Sequence, residues 1–326
     1  MEDEVKEELH ENVPEQVQEI AVKEYVEYSN DEEFIPAAYR NIREKKKSPV
    51  MEVLICLLIM VGFLLIQVAV MIPYVIIYFY DEKSKMNTLG MSNEEIVNKV
   101  LNSMNVVDVS LIATAVSAII AVIWYKLVFC KKYSFSKFKE TCSRMFGGGA
   151  IAGIFFAAVA LFYICNIVIG ALGAVSPELL DDYQKLIESS DIANSADIFA
   201  VILTVILAPI NEECIMRGII FTRLKKCMNP VVAIVISAVF FGVFHLNIVQ
   251  GIYAFLLGLF MAYLAYKYES VIPSILFHAL FNGLNYILEL FPEELSTNVV
   301  VACLMPVVCG FLWYFLEGRR KIAQNS

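Results

Sequence analysis

From residue 51 onward, apolar runs about twenty residues long alternate with short polar or charged breaks. A helix needs roughly 20 apolar residues to cross the hydrocarbon of a bilayer. Eight stretches meet or approach that length: 51–80, 107–130, 147–173, 197–222, 230–247, 249–267, 271–291 and 298–316. The pattern predicts an all-α fold, a polytopic transmembrane helical bundle of about eight spanning helices. Pro73 lies inside the first stretch and predicts a kink there. Only a tight link around Leu246-Asn247 separates the fifth stretch from the sixth, which allows a re-entrant pair.

The polar breaks carry a charge pattern that fixes an expected orientation, because Lys and Arg accumulate on the cytoplasmic side. Arg43 to Lys47 place the N-terminus inside, and Lys126, Lys131, Lys132, Lys137, Lys139 and Arg144 do the same for the second connection. Arg223, Lys225 and Lys226 mark the fourth connection, and Arg319, Arg320 and Lys321 the C-terminus. The alternate loops, 81–100 and 174–196, are acidic or mixed. Eight spans with both termini cytoplasmic satisfy every one of these signals. The expected organisation is an acidic, disordered or loosely helical cytoplasmic tail over 1–48 and a transmembrane domain over 49–318. A short basic cytoplasmic tail follows over 319–326.

Composition sharpens this picture. Hydrophobic residues make up 59% of the chain and charged ones 18%, against about 25% charged in soluble domains. The net charge of −9 is largely a property of the tail, where thirteen acidic residues between Glu2 and Glu33 face only Lys6 and Lys23. No basic face with interleaved aromatics supports nucleic-acid binding. The eight cysteines form no C-x-x-C pair and mostly fall in or beside apolar stretches, so they read as small hydrophobes, with no disulfide framework or zinc cluster. The acidic, polar start does not resemble a cleavable signal peptide, which leaves the first span to direct insertion.

Against this background three polar motifs stand out. The first, Glu212-Glu213-x-x-x-Arg217, follows Ala208-Pro209 in the fourth stretch; the others are Phe241-x-x-x-His245 and His278-x-x-x-Asn282. Residues three or four apart share a helix face, so Glu213 can pair with Arg217 while Glu212 points elsewhere, about 100° around the helix. Pro209 removes a backbone donor just before the carboxylates. Phe241 can wall and orient His245, and His278 and Asn282 can address one polar target. Each motif alone has a plainer reading: a wet cytoplasmic helix end, a histidine at the outer interface, and a polar pair tying two helices together. The conjunction is more demanding. Ionisable groups are costly in a bilayer and face a bundle interior or a cavity. Two carboxylates, an Arg, two of the chain's three histidines and an Asn therefore have to converge. Such a set can activate water and bind a developing oxyanion.

In this order on successive membrane helices, the three motifs resemble the CPBP family of intramembrane endopeptidases, over roughly residues 147–292. That family includes CaaX-processing proteases and bacterial Abi-type proteins linked to bacteriocin processing or immunity. The resemblance implies Glu212 as the base that activates the hydrolytic water, with Glu213 assisting it or held by Arg217. It implies that His245 positions water or substrate, that His278 and Asn282 form an oxyanion-stabilising site, and that Phe241 fills the aromatic place of the second motif.

The family has been described both as metalloproteases and as glutamic proteases. The chain contains no H-E-x-x-H helix, and the preferred reading is a glutamate-driven mechanism without cofactor. If zinc takes part, the candidate ligands are Glu212, His245 and His278. The implied partners are the lipid bilayer and a membrane-anchored peptide or protein substrate, such as a CaaX, bacteriocin-leader or signalling-peptide sequence. The expected location is a bacterial plasma membrane. Two other functions use the same residues: a proton-coupled transporter, and a non-catalytic immunity or scaffold protein. The chain carries no internal repeat of the kind found in many transporters. Depth raises one difficulty. Counted from the cytoplasmic ends of straight helices at 1.5 Å per residue, Glu212 and His278 lie about 10–15 Å in and His245 about 20–25 Å. Straight spans would not bring the three to one level.

Overall fold

The computed structural model describes residues 48–88, 90–129, 143, 145, 149–190, 197–288, 290 and 298–318. The expectations for the acidic tail and the basic C-terminal tail, like Cys130 and Cys142, fall outside these residues, Ser48 apart. The described residues from Pro49 onward form one compact unit.

Ten helices are described: α1 (Pro49–Lys85), α2 (Asn93–Ser103), α3 (Val106–Trp124), α4 (Ala150–Val175), α5 (Pro177–Ser190), α6 (Ile198–Leu224), α7 (Pro230–Phe244), α8 (Ile248–Tyr268), α9 (Ile272–Leu288) and α10 (Val299–Trp313). No strand occurs among the described residues. The breaks between helices carry residues whose side-chain oxygens accept from the first free backbone N–H groups. Asn105, Asp197, Asn229, Asn247 and Asn298 cap α3, α6, α7, α8 and α10 in this way. Ser92 and Glu95 close a reciprocal capping box on α2.

The eight apolar stretches correspond to α1, α3, α4 and α6–α10. Five of these, α1, α3, α4, α6 and α8, are long and apolar enough to cross a membrane. That is fewer than the expected eight, because α7, α9 and α10 are shorter. At 15 residues, α7 extends only about 22 Å, less than the roughly 30 Å of a hydrocarbon core. The supposed loop 81–100 runs into the amphipathic helix α2, and the supposed loop 174–196 contains the amphipathic helix α5.

Contacts fix the relative directions of the helices. In α1, Cys56 reaches the Ile220 carbonyl, and Glu52, in its first turn, pairs with Arg223 at 2.8 Å, so α1 and α6 run antiparallel. Ser117 of α3 bonds Asn211, and eight residues on Tyr125 packs on Gly218, so α3 and α6 run parallel. His278 and Asn282 of α9 meet Glu213 and Thr204, which makes α9 antiparallel to α6. The α7–α8 hairpin is tight: a Cβ on Gly242 would stand 2.6 Å from the Gly251 carbonyl oxygen, and one on Gly258 3.0 Å from the Ala238 Cα. Small residues of this kind let membrane helices approach closely. Leu246 takes φ +55°, unusual for a branched residue, to complete the link between these helices.

Candidate active site

Helix α6 is not regular. Its residues Ile202–Leu207 and Cys214–Phe221 have π-helical geometry, and between them lies a six-residue α-helical insert, Ala208–Glu213. π-turns recur at functional sites, and here two flank the paired carboxylates. The cause is partly legible in the sequence. Ala208 donates its N–H to the Leu203 carbonyl, one residue further back than an α-helix would. The next residue, Pro209, has no N–H to offer the Thr204 carbonyl. Asn282 of α9 donates its side-chain amide to that carbonyl instead, at 2.8 Å. The Thr204 hydroxyl lies 2.7 Å from that of Tyr286, so α9 grips this turn at two points.

Glu213 and Arg217 pair as their spacing predicts, Oε1 to a guanidinium nitrogen at 2.8 Å, with both side chains fully buried. A second guanidinium nitrogen donates to the Gly258 carbonyl of α8 at 3.0 Å, and the guanidinium lies over the Phe241 ring, 4.5 Å from its centroid. Phe241 therefore does more than wall a histidine: its face holds Arg217. The ring also meets His245 and His278 edge-to-face at 4.8 and 5.7 Å.

His278 bridges the two carboxylates. Its Nδ1 is 3.1 Å from Glu213 Oε1 and its Nε2 is 3.9 Å from Glu212 Oε2. Glu212 thus stands at the far nitrogen of the imidazole that Glu213 holds. In the tautomer whose Nδ1–H donates to Glu213, Nε2 carries the ring's lone pair on the side of Glu212. His245 Nδ1 lies 2.8 Å from the Phe241 carbonyl, which orients that ring through its own helix. His245 is within electrostatic reach of Glu212, His278 and Arg217.

Glu212, Glu213, Arg217, Phe241, His245 and His278 thus meet in one cluster, with α8 supplying the Gly258 carbonyl, while Asn282, one turn along α9 from His278, bonds the Thr204 carbonyl instead. The depth count assumed straight, level helices, and the contacts of the last turn of α7 override it. Phe241, in that turn, meets Arg217 and His278 directly. Sequence reasoning missed the Ser117–Asn211 bond, Tyr286 and the Gly258 carbonyl. Asn211 and Ser117, polar residues inside apolar runs, were the available signal for the first. Three buried atoms of the site have no hydrogen-bond partner in the protein: Glu212 Oε2, Glu213 Oε2 and Arg217 Nε. Among the described residues no three His, Cys, Asp or Glu side chains converge as a metal-ion donor set.

Residues 194–284 match the family model described as type II CAAX prenyl endopeptidase Rce1-like. An uncharacterized protein of Mycoplasma capricolum subsp. capricolum is 33% identical over 72 residues, 22% of this chain and 20% of that protein. The chain thus spans about a fifth of the curated relative it matches. No solved structure matches. The matched segment contains all three motifs, so over residues 194–284 the chain is similar to the type II CAAX prenyl endopeptidase Rce1-like family, in a protein with five helices long and apolar enough to cross a membrane.

Proposed function

We propose that this protein hydrolyses a peptide bond of a membrane-anchored peptide or protein, with Glu212 activating the attacking water. The observation that carries this reading is the 3.9 Å separation of Glu212 Oε2 and His278 Nε2. One water can touch both atoms with ordinary hydrogen bonds of about 2.8 Å. It donates one hydrogen to the Glu212 carboxylate and the other to the His278 lone pair, and so directs its own lone pair at a substrate carbonyl. As the water attacks, Glu212 takes the proton that it later gives to the leaving amine. Glu213 acts by holding His278 in the required tautomer, and Arg217 keeps Glu213 in place. Asn282, anchored through one amide N–H on Thr204, has a second N–H to offer the tetrahedral oxyanion. His245, fixed through Nδ1, presents Nε2 to the substrate or its water. Every step in this scheme is carried by the chain's own side chains.

The Rce1-like description supports a CaaX-type or comparable C-terminal segment as substrate, and the Mycoplasma relative supports a bacterial plasma membrane. The test compares membrane and secreted peptidomes of cells expressing wild type and Glu212→Ala at matched abundance. A peptide terminus made only by wild type establishes cleavage and identifies the substrate. Identical peptidomes, with both proteins folded, would overturn the proposal.

A further inference from the structure

The two π-turns make the orientation of Glu212 a problem that the helix alone does not solve. Each π-turn holds one residue more than its α-helical counterpart, and one residue corresponds to about 100° of rotation. If either turn relaxed to α geometry, the Ala208–Glu213 insert would rotate and carry Glu212 out of reach of His278. Something outside α6 has to fix its rotation. On the N-terminal side Asn282 and Tyr286 hold Thr204, and on the C-terminal side Gly258 and Phe241 hold Arg217. Within the insert, the residue immediately before Glu212 is held as well. Asn211 is 1% exposed, and its Oδ1 accepts from the Ser117 hydroxyl of α3 at 2.9 Å, Ser117 being fully buried.

Ser117 belongs to a helix outside the matched segment 194–284. Two features give its bond directional force. Ala113, Ser117 and Ala121 recur at intervals of four along the buried face of α3, so the two backbones approach closely. Eight residues beyond Ser117, Tyr125 packs its ring on Gly218, where a Cβ would stand 2.7 Å from it. Helix α3 therefore engages α6 at Asn211 and Gly218, on either side of the Glu212-to-Arg217 run.

We infer that Ser117 is a positioning residue for the proposed base: its hydrogen bond to Asn211 locks the rotation of the insert and keeps Glu212 facing His278. Ser117 contacts neither water nor substrate in this scheme and acts through Asn211 alone. The inference depends on the proposed role of Glu212 for its effect on cleavage, but not for its effect on the Glu212 side chain.

The test therefore has two readouts on the purified full chain in liposomes. The first is the rate at which Glu212 reacts with dicyclohexylcarbodiimide, resolved from Glu213 by peptide fragmentation. The second is cleavage of the substrate found in the peptidome comparison. Ser117→Ala should raise Glu212 reactivity severalfold, since the carboxyl leaves the cluster for the lipid-soluble reagent. The same variant should lower kcat about 10- to 100-fold with KM nearly unchanged. Ser117→Thr, which keeps the hydroxyl, should restore both, and Asn211→Ala should reproduce the Ser117→Ala result. Glu212 reactivity equal to wild type in folded Ser117→Ala protein would overturn the inference, whatever happens to yield. Should Ser117→Ala not accumulate, Asn211→Ala decides in the same way. Absence of cleavage by wild type would count against the peptidase proposal and leave the reactivity comparison standing.

Discussion

Asn282 and Thr204 are joined by a side chain-to-backbone hydrogen bond of 2.8 Å that closes the gap left by Pro209. The bond ties the third motif to the turn before the first. The Asn at this position therefore has a structural duty whether or not it also meets substrate. An unsatisfied carbonyl in an apolar interior is expensive, and Pro209 makes one unavoidable unless another helix supplies a donor.

Asn282→Ala should accordingly destabilise the protein by about 1–3 kcal/mol, the usual cost of stranding a buried acceptor. Asn282→Asp should do worse than Ala, since a carboxylate facing the Thr204 carbonyl has no donor to give. Thermal or denaturant unfolding in detergent ranks the three proteins. Equal stability of wild type and Asn282→Ala would remove the structural duty.

The ion pair behind the site gives a second prediction. Arg217→Ala leaves Glu213 buried beside an apolar ring, a loss of about 3–5 kcal/mol. Replacing both partners with apolar residues, Glu213→Leu with Arg217→Met, should recover much of that loss, because the cost lies in the unpaired charge. The double variant should have no peptidase activity, since His278 loses its carboxylate partner. A double-mutant cycle on folded yield and unfolding free energy measures the coupling.

Much of this was legible in the chain. Runs of apolar residues located eight helices, and the i, i+4 spacing paired Glu213 with Arg217. What escaped has physical causes. Helices α2 and α5 are amphipathic and too polar to register as apolar runs, although Ser92-x-x-Glu95 announced the first of them. Glu212 was expected to point away from the pair, and periodicity on one helix could not reveal that His278 joins both carboxylates. The π-turns have no residue signature beyond Pro209. The Ser117–Asn211 and Glu52–Arg223 bonds span 94 and 171 residues of sequence; such pairings emerge only once the helices are assembled.

The α7–α8 hairpin should be intolerant of added volume at one face and indifferent elsewhere. Gly242→Ala would drive its Cβ against the Gly251 carbonyl, a backbone group that cannot swing aside. A loss of about 1–3 kcal/mol is expected, together with lower activity, because His245 lies three residues on. Gly62→Ala in α1, with nothing within 4 Å of its Cβ, is the matched control. Unfolding free energies of the two variants make the comparison.

Acid should loosen α2 before the membrane helices. Glu95 has its carboxyl held below the usual range, first by the Ser92 backbone N–H and then by the Ser92 hydroxyl. A carboxyl depressed on folding adds stability above its unfolded value and loses it as pH falls through its folded value. Hydrogen exchange of Asn93–Ser103 should therefore quicken as pH drops below the ordinary carboxylate range, after correction for intrinsic rates. Glu95→Gln should flatten that pH response while leaving the other helices unaffected.

The two adjacent glutamates should separate cleanly when each is made Gln. Glu212 carries the free oxygen: its side chain is 15% exposed, its Oε2 has no hydrogen-bond partner, and His278 Nε2 is 3.9 Å away. Removing its charge breaks no ion pair to Arg217, so Glu212→Gln should fold normally. Gln cannot accept a proton from water, so cleavage should fall about 10²–10⁴-fold, the range of a lost general base. Glu213→Gln instead leaves Arg217 buried without its counter-charge, and folded yield should drop first. In whatever protein survives, His278 has lost the carboxylate that fixed its tautomer, so activity should fall as a consequence. Measuring yield, unfolding and kcat for both variants separates the two roles. If Glu212→Gln proved the less stable variant and Glu213→Gln the more damaging to kcat at full stability, the assignments of base and anchor would have to be exchanged.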